Sequence, residues 1–342
     1  MKHIFPIIVF VIVSLNAYCQ IGGEYTYQFL NMPSTARLAS VGGKNVSLND
    51  NNLNLVIQNP ALLSSEMNNN VSVSFNNHFA GIGSGYAAFA HTFEKGNISG
   101  GIEYIDYGTF KGADIYGNIE ENFYAKDYVI NVSYSYPIDS TFSIGATVKA
   151  IGSFYEKYSS LGFAVDIGAI YTSMDRLFSA GLVIRNLGSQ VKMYSNKYEL
   201  IPLEILAGVT KKLAHAPFRI SLTLQNLQHY KMTYKQSEEI NPSAANNEKS
   251  VFEDITDNVL RHIIGSVDFV PSKSFYLTFS YNHQRRKEMA LIDAPGTVGF
   301  SFGGGINTRK FSLGYGYSVY HAYGGTHHFT VIINFSEAFQ KE

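Results

Sequence analysis

Few residues in this sequence are placed to do chemistry. His321, His327 and His328 lie close to one loop and offer nitrogen donors of the kind metals take. His327 and His328 are adjacent, however, and neighbours on a strand leave on opposite faces. They read as incidental rim histidines, and no metal site is expected. The run Gly303-Gly304-Gly305 has the composition of a phosphate cradle, yet it sits inside a strand-like segment and no helix follows it. A kink or a close approach of backbones suits it better. There is no GxSxG, no HExxH, no P-loop and no pair of cysteines. Neither catalysis nor a cofactor is expected.

The residues that remain of interest are charged, and their meaning depends on the elements that carry them. From Val71 onward the sequence repeats one pattern, apolar residues alternating with small or polar ones. Ile130, Val132 and Tyr134 against Asn131, Ser133 and Ser135 is one case. Phe163, Val165 and Ile167 against Gly162, Asp166 and Gly168 is another. Period two predicts strands with one apolar face, and about fourteen such segments can be marked off. Most reach the ~9–11 residues that a tilted membrane strand needs, rather than the ~5–6 usual in a soluble sandwich. Every second connection is short, as at 95–97, 137–140, 173–175, 214–217, 271–273 and 307–309. Those between are mostly longer, notably 107–126, 188–199, 228–259 and 283–295.

Composition agrees with a membrane wall. Charged residues are 15% of the chain, against ~25% in soluble proteins. The 24 Tyr, 24 Phe and 30 Gly supply interfacial girdles and thin places in a wall. A net charge of −1 argues against nucleic acid as a partner. The expected fold is all-β: a transmembrane antiparallel barrel of about fourteen strands, since in lipid only a closed barrel satisfies every strand amide. Residues 1–19 have the basic start and short apolar run of a signal peptide. Its cleavage after Cys19 would take away the only cysteine. Residues 20–69 form a plug and 70–342 the barrel. Short turns and both ends are then expected in the periplasm, and long loops outside the bacterial outer membrane.

The plug is predicted because residues 29–63 show no apolar alternation. They carry Ser34, Arg37, the pair Gly42-Gly43, Asp50 and the break Asn59-Pro60. If the apolar strand face meets lipid, Glu103, Asp166, Glu204 and Asp268 line the lumen together with Lys149 and Arg185. Arg37 is the plug residue expected to pair with that set. Tyr276 and Tyr320 are the aromatic exceptions on the lumen face. Residues 234–258 hold Glu238, Glu239, Glu248, Glu253 and Asp254, and a loop this long and acidic suits a docking surface.

Ser34-Thr35-Ala36-Arg37, Gly42-Gly43, Asp50 and Asn59-Pro60-Ala61-Leu62 together resemble the N-terminal signature of the FadL-like outer-membrane barrels. Those are fourteen-stranded and carry an N-terminal hatch with an Asn-Pro-Ala motif. Within that group, Gly22-Gly23, Tyr27, Phe29-Leu30 and Pro33 look most like the PorQ-like and PorV-like proteins of the type IX protein secretion system of Bacteroidetes. The resemblance implies a non-catalytic scaffold anchoring an attachment complex. A PorZ-like surface protein would be held there with PorU and PorV-like partners, at a membrane face carrying lipopolysaccharide. The alternative within the same group is a transporter of hydrophobic small molecules.

Overall fold

The computed structural model describes residues 25–114, 116–232, 251–291, 296–321 and 324–338. The leader expected over 1–19, and Glu238, Glu239 and Glu248, lie outside the described residues.

Fourteen antiparallel strands close into one barrel. They are β1 (Asn70–Asn77), β2 (Gly83–Phe93), β3 (Gly96–Phe110), β4 (Phe123–Pro137), β5 (Phe142–Tyr155), β6 (Tyr158–Thr172) and β7 (Phe178–Lys192). There follow β8 (Glu204–Lys212), β9 (Phe218–Leu224), β10 (Ile263–Ser272), β11 (Phe275–Asn282), β12 (Phe300–Asn307), β13 (Phe311–His321) and β14 (Gly324–Asn334). Each pairs with its neighbour in sequence, and β1 closes on β14 from Asn70–Asn334 to Asn77–His327. The first and last strands therefore begin and end at the rim that carries the short turns.

The wall is inside out relative to a soluble protein. Ile130, Val132 and Tyr134 are exposed while Asn131, Ser133 and Ser135 of the same strand are buried. Outward apolar and inward polar residues, alternating along each strand, are the pattern of a membrane barrel. Phe93, Tyr134, Tyr136, Tyr171, Phe218 and Phe311 stand exposed near the short-turn rim, where an aromatic girdle belongs. Among the described residues no helix is long and apolar enough to cross a membrane.

The wall is also uneven in height. The strands β3, β4, β6 and β7 have 15 residues each, whereas β8 has 9, β9 has 7 and β11 and β12 have 8. This corrects several sequence expectations. The connections expected over 107–126 and 188–199 are shorter, because β3 runs on to Phe110 and β7 to Lys192. The loops expected over 234–258 and 283–295 contain helices, α2 (Val251–Arg261) and α3 (His283–Met289). Tertiary contact explains both: Asp257 of α2 accepts from His283 of α3 at 3.0 Å and lies 3.5 Å from Lys287. His327 and His328 do face opposite ways, the first exposed and the second buried.

Inside the barrel lies the N-terminal segment, folded as short turns and one small helix, α1 (Ala36–Ser40). Thr35 caps α1 by accepting from the Leu38 amide. Gly42 and Gly43 end it, with φ of 92° and 99° that residues bearing a Cβ rarely adopt. Their amides return to Ala39 O and Leu38 O at 3.2 and 2.9 Å. Asn59 caps the turn Pro60–Leu62 through Ala61 N at 3.0 Å, with Pro60 fixing its first φ. Leu38, Val41, Leu48, Leu53, Leu55, Val56 and Met67 form a buried apolar core, packed on Tyr86 and Ala88 of β2 and Ile170 of β6. Each such aliphatic side chain contributes ~1.5–3 kcal/mol of burial, enough to hold so short a segment against the wall.

Candidate functional site

The site is the boundary between the plug and the wall. It is built first of missing side chains. On β5, β6, β7 and β8 the inward positions nearest the plug are Gly145, Gly168, Gly181 and Gly208. A Cβ at Gly145 would stand 2.6 Å from Pro60 C and Ala61 N. One at Gly168 would lie 3.1 Å from Pro60 Cδ and closer still to Asn59, and one at Gly208 would lie 3.1 Å from Ser47 Oγ. Gly303, of the run Gly303-Gly304-Gly305, does the same for α1, since a Cβ there would be 2.8 Å from Ser40 Cβ. Into this seat Asn59 sends its amide nitrogen to Val46 O at 2.7 Å and to Ala169 O of β6 at 3.3 Å. Ser179, Ser280 and Ser318 of the wall donate to Ser47 O, Ser40 O and Ala39 O at 2.6, 2.8 and 3.0 Å. Asn76 donates to Ser34 O at 2.9 Å. The plug's backbone groups, which a loop in lipid could not leave unpaired, are thus met by the wall.

Two ion networks complete the boundary. In the first, Arg37 reaches Asp268 of β10 through Nη1–Oδ1 and Nη2–Oδ2, at 3.1 and 2.9 Å. It also meets Asp50 of the plug at 3.0 Å and Thr278 Oγ1 at 2.7 Å, and its guanidinium lies 4.5 Å from the centre of the Tyr276 ring. Arg219 of β9 joins from the other side, 2.8 Å from Asp268 and 3.2 Å from Asp50. The second network rests on a bulge. Pairing of β6 with β7 steps from Val165–Leu187 to Ile167–Ile184, so Asp166 faces both Arg185 and Asn186. Asn186, at φ 57°, turns inward beside Arg185 instead of outward. Lys149 lies 2.6 Å from Asp166 and donates to Asn186 Oδ1 at 2.9 Å, and the Asn186 amide donates to Asp166 at 2.7 Å. Arg185 pairs with Glu204 at 3.4 Å, Glu204 takes a short contact from Lys44 of the plug, and Arg185 donates to Leu30 O at 3.2 Å. Glu103 is buried on β3 near the second network, without a direct ion pair among the described residues.

The sequence brought six of these wall charges to the lumen by parity alone, and all six are buried. It did not mark out Arg219 or Asp127, although both have inward parity. Asp127 accepts from Tyr107 and Tyr155 at 2.7 and 2.8 Å and takes a short contact from Ser153, with no ion pair among the described residues. Parity could not reveal Lys44 or Arg285, which stand outside the strands. Arg285 of α3 donates to Gly42 O at 3.0 Å and stacks over Tyr320 at 4.1 Å. Glu253 and Asp254 lie on α2, the first exposed and the second half-buried, beside the exposed apolar residues Phe252, Ile255 and Val259.

Cavities lie on either side of the plug. One of about 820 Å³ opens at the short-turn end, lined by Asn49, Ser64, Asn97, Thr172 and Arg219. Another of about 440 Å³ opens at the long-loop end, lined by Tyr25, Met32, Leu203, Gln225, Met289 and Tyr320. Outside the plug boundary, α2 and α3 are clasped by Asp257. Burial alone would raise its carboxyl, but His283, Arg261 and Lys287 outweigh that and hold it down at about 2.

No family model matches the sequence, and no curated protein matches it. Solved structures do. A deltaS2S3 mutant of the monoaromatic hydrocarbon channel TodX matches with a TM-score of 0.50 and 12% identity, over 88% of this chain and 99% of that one. The Ralstonia pickettii toluene transporter TbuX matches with a TM-score of 0.50 and 10% identity, over 90% of this chain and 98% of that one. A Pseudomonas aeruginosa FadL homologue matches at a TM-score of 0.46 and 10% identity, over 88% of this chain and 98% of that one. At such low identity, what this chain shares with the hydrocarbon channel and the toluene transporter is the fold.

Proposed function

We propose that this chain is a non-catalytic outer-membrane barrel that passes small apolar molecules around a movable plug. Its short turns and both ends face the periplasm, and its long loops face outward. The observation that carries the reading is the pair of cavities, one on each side of the plug, within a closed wall. The outer cavity offers Met32, Met289, Leu203 and the rings of Tyr25 and Tyr320 to an apolar guest, beside amides and the charged Lys44, Glu204, Arg285 and Glu288. Its fold likeness to structures described as a hydrocarbon channel and a toluene transporter supports the same class of cargo. Passage works by plug displacement, because Arg37–Asp268 and Lys44–Glu204 tie the plug to the wall. The test is toluene uptake into cells carrying the protein, against cells carrying an empty membrane control. Faster uptake that Met289→Glu slows supports transport; equal uptake sinks it.

A second reading is a docking scaffold of the type IX secretion kind, holding a PorZ-like surface protein with PorU and PorV-like partners. What favours it is α2, whose Phe252, Ile255 and Val259 are 78%, 58% and 52% exposed at the long-loop end. Recovery of a surface protein from outer membranes in mild detergent, lost in Phe252→Glu/Ile255→Glu, decides for it. Recovery of the barrel alone from the native membrane decides against it.

A further inference from the structure

The wall has a dent on its outer face where β11, β12, β13 and β14 run side by side. Gly304 points outward there, pairing with Leu277 on one side and Tyr315 on the other. Leu277, Phe302, Ile306, Leu313 and Phe329 stand around it, each about half exposed. The resulting open groove has a volume of about 770 Å³ and is almost wholly apolar, within the range usual for sites that hold a small organic ligand. Its floor is backbone, because a Cβ at Gly304 would come within 2.9 Å of Leu277 Cδ2 and 3.0 Å of Tyr276 O. It starts at the short-turn end, where Phe275 pairs with Ile306. The two turns that close that end carry Lys273, Arg309 and Lys310, all exposed and, among the described residues, in no ion pair. These turns contain no carboxylate, whereas Asp139 and Asp175 sit in turns elsewhere on the same rim.

We propose that this groove is a phospholipid site, with one acyl chain lying along Gly304 and the headgroup phosphate held by Lys273, Arg309 and Lys310. The arrangement matches how a bilayer lipid must stand: phosphate at the interface, chain running along the wall toward the membrane centre. The site stands apart from transport, since it lies on the outside of the wall and the test below reads lipid rather than cargo. Its wall also meets the plug from the inside through glycines. Gly303 and Gly316, on the inner face beside the groove, lie against Ser40 and Ala36 of α1.

The test uses the full chain in nanodiscs containing phosphatidylglycerol, transferred to mild detergent and read by native mass spectrometry. The expected result is a phospholipid adduct that survives detergent exchange. Gly304→Leu fills the groove and should cut the adduct about tenfold or more, because each methylene held changes retention roughly fourfold. The triple variant Lys273→Gln/Arg309→Gln/Lys310→Gln alters only exposed turns, and should cut the adduct severalfold while the barrel stays heat-modifiable. Absence of an adduct in the unaltered protein overturns the proposal. So does equal retention in both variants, and so does displacement of the adduct by inorganic phosphate alone.

Discussion

Arg37 and Asp268 lie 231 positions apart and meet through two parallel hydrogen bonds, one partner in the plug and the other in the wall. Each side chain is 1% exposed. Two planar groups joined fork to fork fix an angle as well as a distance, so the pair sets how the plug sits. Removing Arg37 leaves Asp268 with Arg219 alone, and removing Asp268 leaves Arg37 with Asp50 alone, so each single variant costs part of the ~3–5 kcal/mol lost when a buried charge has no partner at all. Arg37→Ala is expected to raise hydrogen exchange across residues 36–58 and to enlarge the conductance of single barrels in planar bilayers. The double variant Arg37→Ala/Asp268→Ala removes one charge of each sign and leaves Asp50 with Arg219 at 3.2 Å. It should therefore be milder than either single variant. Purely additive effects would show that the two residues do not act as a pair.

The glycine seat predicts a different kind of damage. Gly168→Val places a branched side chain where Asn59 and Pro60 now lie, while leaving the backbone pairing of β6 intact. The plug should come loose without loss of the barrel, read as faster trypsin cleavage before residue 70 in a protein that remains heat-modifiable. Gly265→Ala is the control, since no atom lies within 4 Å of the added Cβ. Equal protease resistance in both variants would remove the seat from the argument.

The clasp between α2 and α3 predicts a pH dependence. Asp257 is held below its ordinary value, at about 2, so it favours the clasped state while ionised. That contribution is present above the ordinary carboxylate range, near 4, and is lost as pH falls toward 2. Hydrogen exchange in residues 251–261 and 283–289 should be slow at pH 5 and rise between pH 4 and 2. Asp257→Asn should exchange fast at both ends of that range. A variant that keeps the slow exchange at pH 5 would show that the helices hold together without this carboxylate.

Sequence pattern revealed the wall because one periodicity governs it. A side chain on a strand in lipid has only two environments, so alternation reports both the strand and the inward face, and Glu103, Lys149, Asp166, Arg185, Glu204 and Asp268 follow from it directly. The same logic fails where the alternation is broken. Asn186 turns inward only because a bulge adds one residue opposite Asp166, which no count of apolar positions announces. α2 and α3 were hidden because no strand alternation marks them, and the contacts of Asp257 with His283 and Arg261 that join them form only in the folded chain. Composition identified the plug by its lack of pattern, but which wall residue each plug residue touches is a matter of register around the whole barrel. Lys44 and Glu204 are 160 positions apart, and nothing local links them.

The seat cut into the wall has a consequence for how the molecule can vary. A lock made from absent side chains cannot be adjusted by small steps, because any addition at Gly145, Gly168 or Gly181 intrudes on plug backbone or on the Asn59-Pro60 turn. A plug advanced by one residue would present different atoms to every notch at once. Away from the groove at Gly304, the barrel's outer surface is free to drift with the lipid around it, whereas the inner ring and the plug residues seated in it must change together or not at all.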